Sequence, residues 1–282
     1  MTVDEVELRE LVPRVLSVIV GRGADFATAE DAVQEALLRA LAAWEDERPA
    51  DPTAWLITVA WRVFLDATRS DAARRDRELR VDAEPPAGTI PNADDTLRLY
   101  FLCAHPDLTS SSAVALTLRA VGGLTTRQIA QAYLVPEPTM AQRITRAKRT
   151  VGRAGVDRPG NLRTVTRVLY LVFNEGYSGE FDLAAEAIRL TRQLAALVDD
   201  PEVQGLLALM LLHQARRRSR TRPDGGLVPL ADQDRSQWDT GLIAEGIDLV
   251  HAALARDRLG EYQAQAAIAA LHADAPCLEE TD

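Results

Sequence analysis

The sequence predicts an all-α protein, and three observations carry that prediction. No stretch sustains period-two alternation with β-branched enrichment. Alanine and leucine, both favourable in helices, dominate the segments between breakers. Proline- and glycine-rich stretches at 82–95 and 152–160 show no apolar periodicity and read as linkers. They divide the 282 residues into segments 1–81, 96–152 and 160–282.

Composition narrows the function classes. With 47% hydrophobic and 26% charged residues, the chain has a globular rather than a disordered mixture. A net charge of -10 excludes a uniformly basic nucleic-acid binder. Cys103 and Cys277 are far apart and lack metal-ligand spacing, so a disulfide scaffold is excluded. The acidic start, MTVDEVELRE, is not a signal peptide, and the apolar run at 205–212 is too short to span a bilayer. The expected setting is the cytoplasm, with no membrane partner. Residues 101–160 nevertheless carry a net +5, whereas 1–60 and 161–282 each carry -7. A local basic stripe in an acidic chain is either a solvated helix face or a nucleic-acid footprint.

In the first segment, residues 28–44 predict an amphipathic helix with Thr28 as N-cap. Val33, Leu37, Ala40 and Trp44 recur at helical spacing as a core stripe. Asp31, Gln34, Glu35 and Leu38 form a second, acidic face with one apolar member. That face is either solvated surface or a dock for a basic partner helix. A second helix is predicted from Pro52 to about Arg69, with Asp51 as N-cap and proline at the first position. Trp55 and Phe64 read as core, while Trp61 is open to a base-stacking role beside the arginines that follow.

The second segment carries the strongest motif, LTTRQIAQAYLVPEPTMAQRITRAKRTV at 124–151. Thr125 and Gln128 have capping-box spacing for a short helix that buries Ile129 and Ala130. A turn at 133–135 follows, and Pro136 and Pro138 belong at or before the first turn of the next helix. Met140, Ile144, Ala147 and Val151 are its buried side; Gln142, Arg146 and Arg149 lie elsewhere on it. A capped short helix, a tight turn and a basic second helix predict a helix-turn-helix.

In the third segment, Leu183, Ala187, Leu190, Leu194 and Leu197 form a helical stripe. Residues 203–212 are apolar nearly all round and are expected to be buried. Two polar clusters stand out. Asn174, Glu175, Gly176 and Tyr177 are either a helix end capped by the glycine or a contact surface. The DQDRSQW stretch, with Asp232, Asp234 and Trp238, either caps a helix starting near Ser236 or faces a partner. The four histidines are scattered, and no phosphate loop, nucleophile elbow or metal-ligand spacing is present, so no catalytic residue, metal or cofactor is expected.

Taken in order, these motifs resemble the extracytoplasmic-function (ECF) sigma factors of the sigma-70 family. AEDAVQEALLRALAAW resembles the core-binding helix of region 2, and DPTAWLITVAWRVFLDATR its promoter-opening helix. LTTRQIAQAYLVPEPTMAQRITRAKR resembles region 4. LCAHPDL, VPEPTMAQR and LVFNEGYSG are similar to the subgroup with a helical, TPR-like C-terminal extension. The resemblance implies that Asp31, Gln34, Glu35 and Leu38 contact the coiled coil of the largest RNA polymerase subunit. It implies minus-10 contacts near the 47–51 loop and by Trp61, Arg62, Asp66, Arg69, Arg74 and Arg75. Many family members carry Asn at the position of Arg62. It implies minus-35 contacts by Thr125, Thr139, Ala141, Gln142, Arg143, Thr145, Arg146, Lys148 and Arg149. Ala141 stands where a basic residue is usual and Pro138 where glycine is usual, which shifts weight toward DNA shape there.

The two polar clusters are then expected at a regulatory interface, where the extension contacts the sigma domains within the chain. Subgroup members usually continue further, so the extension is expected to be short or truncated. The competing expectation is a polymerase-independent helix-turn-helix regulator, which leaves the Asp31–Leu38 face without a role.

Overall fold

The computed structural model describes residues 5–44, 48–75, 93–154, 160–175, 182–222 and 226–275. They are helical throughout, apart from turns and one isolated antiparallel bridge between Thr221 and Leu227. Two compact units divide the chain, Met1–Val168 and Leu169–Asp282.

The first unit begins with α1 (Glu5–Gly21), α2 (Phe26–Ala43) and α3 (Pro52–Arg75), which pack on one another. Their shared core includes Val15, Leu16, Ile19, Ala29, Val33, Ala36, Leu56 and Ala60. Helix α2 starts earlier than its sequence predicts. Asp25, not Thr28, is its N-cap, and the Asp25 carboxylate accepts from the Thr28 amide at 3.0 Å. Glycine at 23 allows this, because its φ of +92° turns the chain sharply before the cap. Asp51 caps α3 as expected, accepting from the Ala54 amide at 2.9 Å. That helix runs to Arg75, beyond the Arg69 end that the sequence suggests.

Helices α4 (Ala93–Cys103) and α5 (Ser110–Ala120) lead into α6 (Thr126–Ala132) and α7 (Glu137–Ala154). The Thr125–Gln128 capping box forms in both directions. Between α6 and α7 the chain reverses at Leu134, whose φ of +51° lies in the left-handed region. Met140, Ile144, Ala147 and Val151 are all buried, and α7 packs on α5 and α6 as the second helix of a helix-turn-helix. It continues through Gly152, one turn into the stretch that composition marks as linker.

Helix α8 (Leu162–Glu175) spans the boundary between the units. In the second unit, α9 (Leu183–Leu197), α12 (Thr240–Leu254) and α13 (Glu261–Asp274) surround α10 (Pro201–Ala215). The apolar run in α10 is buried from Gly205 to Leu212, as its all-round hydrophobicity predicts. Close approach rests on Gly205, where a Cβ would lie 2.7 Å from the Gln263 backbone nitrogen on α13. The short α11 (Arg217–Arg220) and two 3₁₀ turns connect α10 to α12. The helix expected near Ser236 starts instead at Thr240 under an Asp239 cap; Ser236 belongs to a 3₁₀ turn capped by Asp234.

Candidate functional site

Helix α7 presents a polar face because its apolar residues recur every three or four positions on the other side. Thr139, Gln142, Thr145, Arg146 and Arg149 are exposed there, with Ala141 and Arg143 half-buried at its edges. Thr125 is exposed at the start of α6. Thr145 also returns a hydrogen bond to the Ala141 carbonyl at 2.8 Å, which restrains its hydroxyl. The face therefore offers one amide, hydroxyls and guanidinium groups, the donors that base edges and phosphates require.

Lys148 does not join that face. Its side chain is 11% exposed and forms ion pairs with Glu30 and, at 2.8 Å, with Asp31, both on α2. Arg119 on α5 approaches the same Glu30 carboxylate with its Nε at 2.7 Å, while its Nη1 donates to the Leu124 carbonyl at 3.0 Å. The Glu30 side chain is fully buried. A buried carboxylate is stable only with compensating partners, and removing one of a buried pair typically costs about 3–5 kcal/mol. The negative charge also raises the nearby Cys103 thiol pKa, adding to the larger effect of that residue's complete burial.

Of the acidic face on α2, Asp31 is therefore exposed but engaged by Lys148. Gln34 and Glu35 are half-buried, with Glu35 held by Arg39 at 2.9 Å, and Leu38 is 63% exposed. Leu41, one turn on, is exposed as well, so the two leucines make an apolar ridge beside the carboxylates.

On α3, Arg62, Asp66 and Arg69 are exposed along one side. Trp61 corrects an expectation. It is only 8% exposed, with the Phe64 ring at 5.3 Å and the Arg22 guanidinium 5.4 Å from its centroid. Packed this way, the indole is a core element and not an open stacking platform. Of the two residues expected to be plain core, Trp55 is half-buried with its ring 5.4 Å from that of Trp44, and Phe64 is half-buried too. The side chains of Arg74 and Arg75 lie outside the described residues.

In the second unit, Asn174 is exposed near the end of α8; the Glu175 side chain, Gly176 and Tyr177 lie outside the described residues. Asp232 and Asp234 are exposed. Trp238 is a second correction. It is 6% exposed, flanked by the guanidinium groups of Arg235 at 4.5 Å and Arg216 at 5.8 Å, and donates to Ser219 Oγ at 2.8 Å. It fastens the α11 corner of its own unit and presents no surface to a partner. On α10, burial first and then the charges of Arg216 and Arg220 push the His213 pKa down to about 4.

Sequence reasoning missed Glu30 and Arg119. The available signal was their register: Glu30 falls in line with the buried Phe26, Val33 and Ala40, and Arg119 is the one charged residue of α5, following the buried Leu118. It also passed over the arginines at 216–218, 220 and 222, hidden within a segment of net -7. Among the described residues, no group of His, Cys, Asp and Glu could hold a metal ion, and no helix is long and apolar enough to cross a membrane.

Comparisons with known proteins address the same elements. Residues 8–74 match sigma-70 region 2, residues 98–151 match sigma-70 region 4, and residues 161–254 match a family of unknown function, DUF6596. An uncharacterized protein of Rhizobium meliloti is 41% identical over 96% of this chain and 70% of its own length. The probable ECF RNA polymerase sigma factor SigI of Mycobacterium tuberculosis is 30% identical over 56% of this chain and 62% of its own. The ECF RNA polymerase sigma factor SigJ of the same species is 32% identical over 54% of this chain and half of its own. No solved structure matches the chain. With both sigma regions in place and in order, the chain belongs to the ECF RNA polymerase sigma factors of the sigma-70 family.

Proposed function

We propose that this chain acts as a non-catalytic specificity subunit whose α2 docks on core RNA polymerase and whose α7 reads the minus-35 duplex. The observation that carries the reading is the pairing of two different exposed faces in one unit. Glu35, Leu38 and Leu41 give α2 an acidic and apolar dock. Gln142, Arg146 and Arg149 give α7 a groove-reading face.

The α2 face suits a basic, partly apolar helix, such as the coiled coil of the largest polymerase subunit. On α7, Gln142 is the side chain best suited to a base edge, since an amide can donate and accept together. Arg146 and Arg149 neutralise phosphates and fix register. Arg62, Asp66 and Arg69, exposed on α3, would contact the melted minus-10 strand in this reading. The second unit modulates these activities from within the same chain. A polymerase-independent regulator would need α7 alone and would leave the α2 dock idle.

Promoter selection tests the reading. Core polymerase with this protein is presented with a library randomised over 40 upstream base pairs (on the order of four helical turns), and the bound DNA is sequenced. Two motifs at fixed spacing are expected, and Gln142→Ala should relax one position of the upstream motif only. Recovery of a single motif, equally without polymerase, would favour the polymerase-independent regulator.

A further inference from the structure

We propose that Glu30, Arg119 and Lys148 form an autoinhibitory latch that holds region 4 on region 2 until core polymerase opens it. The proposal rests on the reading of α2 and α7 as the polymerase- and DNA-facing helices.

The geometry is that of a built contact. Glu30 is fully buried on α2, and its two charged partners among the described residues, Arg119 and Lys148, come from α5 and α7. Both cations are themselves largely buried, at 14% and 11% exposure. Lys148 reaches further, to the outward carboxylate of Asp31 at 2.8 Å. Arg119 simultaneously holds the Leu124 carbonyl that leads into the helix-turn-helix. The cluster draws on three helices, and two of them, α2 and α7, have separate tasks in this reading.

Two residues are consequently committed twice. Lys148 cannot neutralise a DNA phosphate while its ammonium serves Glu30 and Asp31. Asp31 cannot receive a basic partner helix while Lys148 occupies it. A polymerase helix that offers Asp31 a new cation weakens the outer half of the cluster, and loss of Lys148 leaves Glu30 with one partner fewer. Opening thus frees Asp31 at the edge of the α2 dock and the Lys148 amine in the same event, and free protein is kept from binding DNA in its productive register.

The chain supplies its own reporter, because Lys148 is its sole lysine among 32 basic residues. Full-length protein is pulsed with an amine-acylating ester, and acylation of Lys148 is timed by mass spectrometry against a short peptide of residues 143–153. In free wild type, Lys148 should react at least ten-fold more slowly than in the peptide. Glu30→Gln should remove most of that protection, and Asp31→Asn, an exposed position that leaves the core intact, about three-fold of it. Adding core polymerase without DNA should accelerate acylation of the wild type toward the Glu30→Gln rate. Free wild-type Lys148 reacting as fast as the peptide overturns the latch. So does protection that persists unchanged in a wild-type complex with polymerase shown to have formed by co-elution. Failure of co-elution itself, for wild type and Glu30→Gln alike, would instead overturn the underlying polymerase reading, while the acylation of the free proteins still judges the closed contact.

Discussion

Helices α7 and α10 are near neighbours in length and opposites in design. In α7, four apolar residues at helical spacing, Met140, Ile144, Ala147 and Val151, are buried, while Thr139, Gln142, Thr145, Arg146 and Arg149 face outward. In α10, eleven of fifteen residues are buried, and three other helices pack around it. The contrast separates stability from recognition. An all-round apolar helix is the hub of a unit and has no side left for a ligand. A one-sided helix keeps its polar face available, and its apolar contribution to stability is confined to one stripe.

The comparison can be broken from either end. On the hub side, Leu211→Ala should cost about 2–5 kcal/mol through lost burial and the cavity left behind. Gln142→Ala on α7 should stay within about 0.5 kcal/mol of wild type in the same denaturant titration. Acid should act on the hub as well. His213 titrates near 4 in the folded unit against an ordinary value of 6.5. The unfolded chain therefore takes up the proton first, so stability falls as pH drops from about 6.5 toward 4 and His213 adds no further loss below that. The difference amounts to about 3 kcal/mol, and His213→Gln should flatten that part of the stability–pH curve. Gly205→Ala should cost about 1–3 kcal/mol, because Gln263 backbone atoms already occupy the space of a methyl group.

Smaller effects sharpen the recognition side. Arg146→Ala should lower affinity for promoter DNA about equally across sequences and reduce the salt-dependence slope by about one. Thr125→Ala removes the capping box of α6 and should cost about 1 kcal/mol of stability, read as a lower denaturation midpoint.

Much of this contrast was legible in the sequence. The Met140–Val151 stripe, the all-apolar run in α10, the Asp51 cap and the Thr125–Gln128 box depend on neighbours within a few positions, which local spacing reports. What stayed hidden depends on distant partners. Trp61 is buried because Arg22 and Phe64 close over it, and Trp238 because Arg216 and Arg235 flank it. The identity of an aromatic residue among arginines suits a nucleic-acid platform and a cation–π core equally well. Glu30 and Arg119, 89 positions apart, become a pair only once α2 and α5 are brought together. Thr28 and Asp25 compete as caps of one helix, and the glycine turn before Asp25 decides between them.

Gel filtration with purified core RNA polymerase tests the central claim most directly. Wild type is compared with the double variant Glu35→Arg, Leu38→Asp, which alters the exposed dock and leaves Glu30, Asp31 and Lys148 in place. The account predicts that wild type co-elutes with the polymerase and that the double variant elutes alone while remaining folded by circular dichroism. Equal co-elution of both proteins would contradict the assignment of α2 as the docking helix. Failure of wild type and of Glu30→Gln to co-elute would contradict a polymerase subunit altogether.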